Sequence, residues 1–521
     1  MSLSRRGFIA ATALSVAAAG MASGSNAHAD TLTIAPGEPN YERLSRRGYN
    51  RRFIARPERI HIPTSTSDVV DAVARAVHDN LRIAVRSGGH CFDDFVDSAD
   101  TRALIDLQRM NSVRWDSEHR AFSIDAGADL NTVYRELALW GVTVPGGICR
   151  GVGVGGHISG GGYGPLSRQF GLVADHLYGV EIVTVDTAGK PAVVVATRDG
   201  PNKDLWWAHT GGGGGNFGVV TRFLLRSSDS TGEDPRQALP PTPATVVVGR
   251  VLIPMPMISE PSFVRLTSNY LDFHERFCEP GNRFAGLYAR LIFRPIVESF
   301  ADLLIFSYGP ADEAHARLDE FITTISDGVA PAPLVLPPVQ LGYTDSIAQY
   351  YAPPPPEPAR VKIKTAFLRQ AFSPEQLRVL YRALVDPGLN NESFVEFAPF
   401  GGAINAVASD ATAMPARDSF MKMLLHAAWR DPAADDRHIS WARTTYRDIF
   451  ADTGGVPAPD ERNAGSYINY PDPDLADPES NTTSVPWHAF YYRDGYPRLQ
   501  RVKSKWDPNN NFQHRLSIAP E

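Results

Sequence analysis

From residue 146 to residue 164 the chain is dense in glycine, and a second run occupies Gly211-Gly212-Gly213-Gly214-Gly215. Glycine this concentrated weakens helices and strands, so the two runs read as turns that bracket one module. Without a Cβ, such a turn brings many backbone N–H groups close to an extended anion, and a pyrophosphate would suit it. Gly151-x-Gly153-x-x-Gly156 also matches the dinucleotide fingerprint in form. Its surroundings do not, because a Pro-Gly-Gly turn stands where the fingerprint needs a strand and further glycines follow where a helix should open.

The flanking segments are periodic. Residues 56–63 read as a strand, and Ser67 as the cap of a helix over 68–78 with Val70, Val73, Ala74 and Val77 on one face. A strand at 81–85 ends in the turn Ser87-Gly88-Gly89, which makes a βαβ-like opening. Strands at 103–107, 121–125 and 179–185 and a helix over 130–140 complete the first module. Residues 227–245 lose periodicity and read as a linker, and a second domain is expected from Ala244. Its strands (245–253, 286–293, 303–307) and helices (262–277, 312–325, 375–385) predict a sheet backed by helices. Pro353-Pro354-Pro355-Pro356 is a stiff loop that either borders a pocket or lies inert on the surface.

With 43% hydrophobic and 21% charged residues, most of the chain should fold, and 521 residues exceed a one-motif binding module. Lys+Arg 51 against Asp+Glu 58 leaves a net charge of −7 with no long basic run, which argues against a nucleic-acid partner. Ser4-Arg5-Arg6-Gly7-Phe8-Ile9, an Ala-rich apolar stretch to Met21 and Ala27-His28-Ala29 read as a signal peptide over residues 1–29. The stretch is too short and too diluted for a membrane anchor, and the paired arginines are similar to a twin-arginine signal, which implies that export machinery as a partner and a secreted product. Cys91, Cys149 and Cys278 form no CxxC pair, and no metal site is expected. In an exported chain at least one free thiol then needs another explanation.

Three segments supply one. Arg86-Ser87-Gly88-Gly89-His90 ends a strand, and Cys149 opens the glycine stretch that runs through Val152, Gly153, Gly155, Gly156, His157, Gly160, Gly161, Gly162 and Tyr163. The third runs from Asp204-Leu205-Trp206-Trp207 through the second glycine run to Asn216-Phe217-Gly218-Val219. With Tyr467-Ile468-Asn469-Tyr470-Pro471-Asp472 near the C-terminus, they resemble the berberine-bridge-enzyme-like flavoproteins of the vanillyl-alcohol-oxidase superfamily, over nearly the whole mature chain. The resemblance implies an α+β fold: a PCMH-type FAD-binding domain of two α/β subdomains (residues 30–243), and a substrate domain with an antiparallel sheet backed by helices (244–455). A C-terminal segment (456–521) then returns to the FAD domain.

It also implies bicovalent FAD, with His90 bonded to the flavin 8α-methyl group and Cys149 to C6. Both are nucleophiles when unprotonated. Cys91 is the alternative thiol, but the glycine context favours Cys149. Arg86, Ser87, Gly88, Gly89, the glycine-stretch residues, Asn216, Gly218, Val219, Tyr467 and Asn469 are expected to hold the cofactor. Tyr470 is expected to be the catalytic base, provided that positive charge or the flavin lowers its pKa from about 10. Val152, three residues after the cysteine, implies access of O2. Phe400 stands where many relatives have tyrosine, which argues against a two-base, two-step oxidation, and Glu396 and His426 are weaker candidates for a second polar contact. The tail from Trp487 looks like that of actinobacterial members that oxidise sugars. The implied activity is oxidation of a secondary alcohol or sugar carbon with release of hydrogen peroxide. The alternatives are a dehydrogenase with another electron acceptor, or a C–N oxidase.

Overall fold

A computed structural model describes residues 32–295, 300–353, 359–386 and 392–521. The leader and most of the proline run lie outside the described residues. Sixteen strands among those residues form three sheets. The first has four strands, β1 (Leu32–Ile34), β2 (Arg59–Ile62), β3 (Ile83–Arg86) and β4 (Ala103–Asp106), in the order β1-β2-β4-β3. β4 runs parallel to both β2 and β3 and separates them, so the opening is a split βαβ unit. Its helix, Thr66–His78, starts two residues earlier than expected. Ser65, not Ser67, is the cap, because Ser65 and Asp68 exchange hydrogen bonds in a reciprocal capping box. The buried face is accordingly Val69, Ala72, Val73 and Ala76, while Val70, Ala74 and Val77 are only half-buried.

The second sheet is antiparallel, β5 (Val113–Asp116), β6 (Ala121–Asp125), β7 (Leu177–Val185), β8 (Pro191–Thr197) and β9 (Val219–Leu225), in the order β5-β6-β9-β7-β8. The short β5 was not anticipated; it is a hairpin partner of β6. Residues 227–245 carry one short turn, Pro235–Gln237, and lie pinned to the first module where Thr143 N donates to the Pro240 carbonyl at 2.8 Å.

The third sheet is antiparallel throughout: β10 (Val246–Ile253), β11 (Leu287–Phe293), β12 (Ala301–Tyr308), β13 (Leu334–Leu341), β14 (Arg360–Leu368), β15 (Phe394–Pro399) and β16 (Met421–Trp429), in the order β13-β10-β12-β11-β15-β16-β14. Helices Glu260–Arg276, Ala311–Ser326, Pro374–Leu384 and Asp435–Ile449 back one face. The chain is thus α+β, as expected. Because side chains alternate along a strand, the opposite face presents every second residue of β11, β15 and β16, and these form a wall of the site described next.

Candidate active site

β3 ends at Arg86, whose guanidinium stays in the interior. It donates to Asp106 on β4 through Nε at 3.0 Å and Nη2 at 2.8 Å, to Asp97 at 3.2 Å and to the Leu44 carbonyl at 2.5 Å. Arg86 therefore braces the turn through its guanidinium, and the residue still borders the cavity described below. The turn is laced to the glycine stretch. Ser87 Oγ donates to the Ala126 carbonyl at 2.6 Å and accepts from Gly155 N at 3.3 Å. A Cβ on Gly88 would lie 2.3 Å from the Gly153 nitrogen, and one on Gly153 would lie 2.1 Å from the Gly88 nitrogen, so only glycine fits at either position. Gly153 also caps a six-residue helix, Val154–Ser159. A helix does open within the Gly-x-Gly-x-x-Gly pattern, contrary to the sequence reading, although no strand feeds it.

The lacing brings His90 and Cys149 to the walls of one cavity of about 370 Å³, together with Ser87, Gly88, Gly89, Val152, Gly153, Gly155, Gly156, His157, Tyr163, Asn216, Gly218, Tyr467, Asn469 and Tyr470. Four expected contacts are not among the residues lining it. Gly160 is the floor against which Asn469 packs, since a Cβ there would lie 2.1 Å from Asn469 Oδ1. Gly161 and Gly162 have positive φ and close a turn, and Gly162 N donates to the Tyr467 hydroxyl at 3.1 Å. Val219 begins β9, fully buried opposite Val183. Asn216 braces the second glycine run: Nδ2 donates to the Gly212 and Gly213 carbonyls, and Oδ1 accepts from Ile518 N.

Sequence reasoning missed the facing wall. Tyr288 and Arg290 come from β11, Phe394 from β15 and Leu424 from β16, beside the anticipated Glu396 and His426. Tyr49 lies parallel to His90, 5.3 Å away between ring centres, and Phe394 stacks on His426 at 4.5 Å. Their one signal is the i, i+2 spacing on strands, which any half-buried sheet shares. Phe400, by contrast, is buried against Tyr163 and Phe367 and is not among the lining residues.

Tyr470 stands where the walls meet. Its ring is 5.3 Å from Phe92 and from Tyr467, and the Lys422 ammonium lies 4.6 Å from its centre. The hydroxyl shares a hydrogen bond with Tyr163. Burial and then the Glu396 charge push its pKa well above the usual tyrosine value, so it starts as a phenol. The positive neighbours expected from the sequence are present but committed. Arg290 holds Glu396 at 2.6 Å through Nε and 2.5 Å through Nη2, and Lys422 holds it at 3.1 Å. Burial alone would raise Glu396; the two cations outweigh it and hold the carboxyl at about 2. Burial, helped by Arg47, takes His90 down to about 4, leaving a neutral imidazole. Burial pushes the Cys149 thiol up, against the Gly151 N–H, Arg290 and Arg150.

Comparison with known proteins adds the family. Residues 57–189 match the FAD binding domain family and residues 466–519 the berberine and berberine-like family. The chain is 44% identical to the aclacinomycin-N/aclacinomycin-A oxidase of Streptomyces galilaeus, over 92% of this chain and 88% of that protein. It belongs to the berberine-bridge-like FAD-linked oxidoreductases. Its fold agrees with those of a flavoenzyme from caerulomycin biosynthesis (TM-score 0.91, 46% identity, 94% of this chain and 100% of that one) and of a glycopeptide hexose oxidase solved with teicoplanin (0.90, 42%, 94% and 99%).

This berberine-bridge-like chain has a site that fits FAD. The two glycine runs meet at the cavity with main chain alone, since a Cβ on Gly156 would meet nothing within 4 Å and one on Gly214 would reach only main chain, Gly156 Cα at 3.8 Å and the Gly155 carbonyl oxygen at 3.9 Å. Side chains are absent where a pyrophosphate needs backbone N–H groups.

Proposed function

We propose that the protein is an oxidase that converts a secondary alcohol of a sugar or glycoside to a ketone, with FAD attached at both His90 and Cys149. The alcohol carbon gives up its hydrogen as hydride and the hydroxyl gives up its proton, and O2 takes up the two electrons and two protons as hydrogen peroxide. The observation that carries this reading is that His90, Cys149 and Tyr470 line one cavity, roofed by glycine main chain and walled by β11, β15 and β16. FAD, when bound, supplies the electron-poor ring that takes up the hydride.

The chain does the rest. His90 offers a neutral ring nitrogen; Cys149 is a thiol that burial keeps protonated, and the Gly151 N–H, Arg290 and Arg150 assist the loss of its proton that bonding to an electron-poor carbon requires. Tyr470 takes the substrate's O–H proton once its own has left, and its phenolate gains from Lys422 over the ring face. Asn469 Nδ2 donates to the Tyr467 hydroxyl at 2.9 Å and to the His157 carbonyl at 3.0 Å, tying the tyrosine pair to the glycine stretch. Val152 borders the cavity three residues beyond Cys149, which supports access of O2 and hence an oxidase over a dehydrogenase. Phe400 offers no hydroxyl, which argues against a second tyrosine base at that position. A sugar-borne substrate is supported by what the relatives are named for, including a hexose oxidase of Chondrus crispus, 28% identical over 91% of this chain and 92% of its own length. Residues 1–29 we read as a twin-arginine leader, and the product as secreted.

The test has two parts. Wild-type protein denatured in detergent should keep its yellow colour, His90→Ala and Cys149→Ala should each keep it through the remaining bond, and the double variant should release it. A panel of monosaccharides, oligosaccharides and glycosylated aromatic compounds should then give peroxide. Free flavin from denatured wild type, or no peroxide from any sugar-bearing compound, overturns the reading.

A further inference from the structure

β14 is an edge strand, and two loops that reach the cavity dock on its free side. Near its start, Asn50 is bonded to Val361 in both directions (Oδ1 from Val361 N at 3.0 Å, Nδ2 to its carbonyl at 3.0 Å) and donates to the Phe92 carbonyl at 2.6 Å, two residues after His90. Near its end the C-terminal segment arrives: Phe367 N donates to the Gly465 carbonyl, Ala464 N to the Phe367 carbonyl, and Ser466 Oγ to the Thr365 carbonyl at 2.6 Å. Tyr467, Asn469 and Tyr470 follow. The chain then meets β14 again, on the other face of the sheet. In register, Ile363 lies opposite the cavity residue His426, and Thr365 opposite Leu424, so Lys362 and Lys364 turn toward helix Asp435–Ile449.

There the two lysines, nearly inaccessible, hold Asp472 and Asp474. Lys362 Nζ lies 2.6 Å from Asp472 and 3.0 Å from Asp474, and Lys364 Nζ lies 2.8 and 2.6 Å from the same pair. Arg443 closes on Asp474 at 2.7 Å, and the Tyr491 hydroxyl accepts from Asp472 N at 2.9 Å. Two charges matched by two, plus an arginine, are an expensive way to fasten a loop in a dry interior, where apolar packing would hold it as well. What the ionic clasp adds is a fixed register for the chain wrapped round the strand edge.

We propose that Lys362 and Lys364 are positioning residues, which by seating Asp472 and Asp474 fix the downstream foot of the Tyr467–Tyr470 loop and so set Tyr470 against the His90 loop on the same strand. The inference rests on Tyr470 being the base. Neither lysine lines the cavity, so neither touches substrate or cofactor.

The test compares Lys362→Met, the matched pair Lys362→Met/Asp472→Asn, which leaves no lone buried charge at this contact, and both on a Tyr470→Phe background. Read out are thermal midpoint, covalent flavin content, the visible circular dichroism of the flavin, and the anaerobic rate of flavin reduction against pH. The matched pair should fold and carry full flavin, yet show an altered dichroism band and reduction slower by roughly 10- to 100-fold, the scale of a misplaced reacting group. On Tyr470→Phe it should slow reduction less than about twofold, because the group being positioned is gone. A folded, flavin-loaded matched pair that reduces at the wild-type rate, or that slows Tyr470→Phe by the same factor as wild type, overturns the proposal. Wild-type reduction in Tyr470→Phe alone overturns the base assignment, and the proposal with it. Should the matched pair fail to fold, Lys364→Arg, which keeps the charge and changes its reach, must give the same split between the two backgrounds or the proposal fails.

Discussion

One wall of the cavity is made of main chain and the other of side chains. On the glycine wall, Gly88 and Gly153 are in backbone contact and Gly156 faces open space, so shape and hydrogen-bond donors come from the peptide groups. On the strand wall, one carboxylate, Glu396, is shared by two cations, Arg290 and Lys422, across three strands, and Tyr288, Phe394 and His426 give the surface its character. The first suits a group that never changes, such as a dinucleotide; the second can be rewritten residue by residue without disturbing the fold. A shared cofactor and divergent substrates within one family follow from that division of labour.

The largest effect that would separate the walls is chemical. Tyr470→Phe removes one hydroxyl where they meet and leaves both standing. Flavin content should be unchanged, while anaerobic reduction by a good substrate slows by about 10²–10⁴, the usual scale for loss of a general base. Reduction at the wild-type rate in stopped flow would move the base elsewhere on the strand wall.

The glycine wall makes a sharper distinction between fold and cofactor. Gly153→Ala drives a methyl into the Gly88 nitrogen and Ser87 Oγ, the latter 2.3 Å away, and should cost about 1–3 kcal/mol or more in stability even without flavin. Gly156→Ala meets nothing, so the apoprotein should melt within about 0.5 kcal/mol of wild type. Its methyl points into the space read as the pyrophosphate site, and FAD incorporation during expression should fall. Equal losses of stability in the two apoproteins would dissolve the contrast.

The same contrast explains what could be read in advance. Ser87-Gly88-Gly89 and the two glycine runs were legible because each encodes a local backbone shape within a few residues, whereas His90 and Cys149 were singled out only by the family resemblance. Also legible were the helix over 66–78, to within two residues, and the strands β10, β11 and β12 of the third sheet. Arg290, Tyr288 and Leu424 were not, because they meet only after β11, β15 and β16 pair across long separations, and alternation marks all such residues alike. Gly160, Gly161, Gly162 and Val219 were assigned to the cofactor from proximity in sequence, whereas a tight turn sends some glycines to the site and others to its support. Arg86 was expected beside the cofactor, but its fully buried pairing with Asp106 carried no signal in the sequence.

The smallest expected effect lies in the strand wall's charge balance. Glu396 raises Tyr470 and is itself held at about 2, below its usual 4.5, by Arg290 and Lys422 against the cost of burial. Glu396→Gln removes the negative charge but keeps the shape. Tyr470 should then ionise more readily, so the rising limb of reduction rate against pH moves to lower pH by roughly one unit, the size of a single nearby charge partly screened. Stability moves the other way. A carboxyl depressed in the fold stabilises it fully above its unfolded pKa and loses that contribution as pH falls toward its folded pKa, so wild type should exceed Glu396→Gln in thermal midpoint at pH 7. The gap should narrow as pH drops below about 4.5 toward 2. If the limb stays put, Glu396 does not act on Tyr470 through its charge. If it moves up instead, the freed Arg290 and Lys422 must have turned away from the tyrosine, and the strand wall would be tuned by packing and not by its ion pairs.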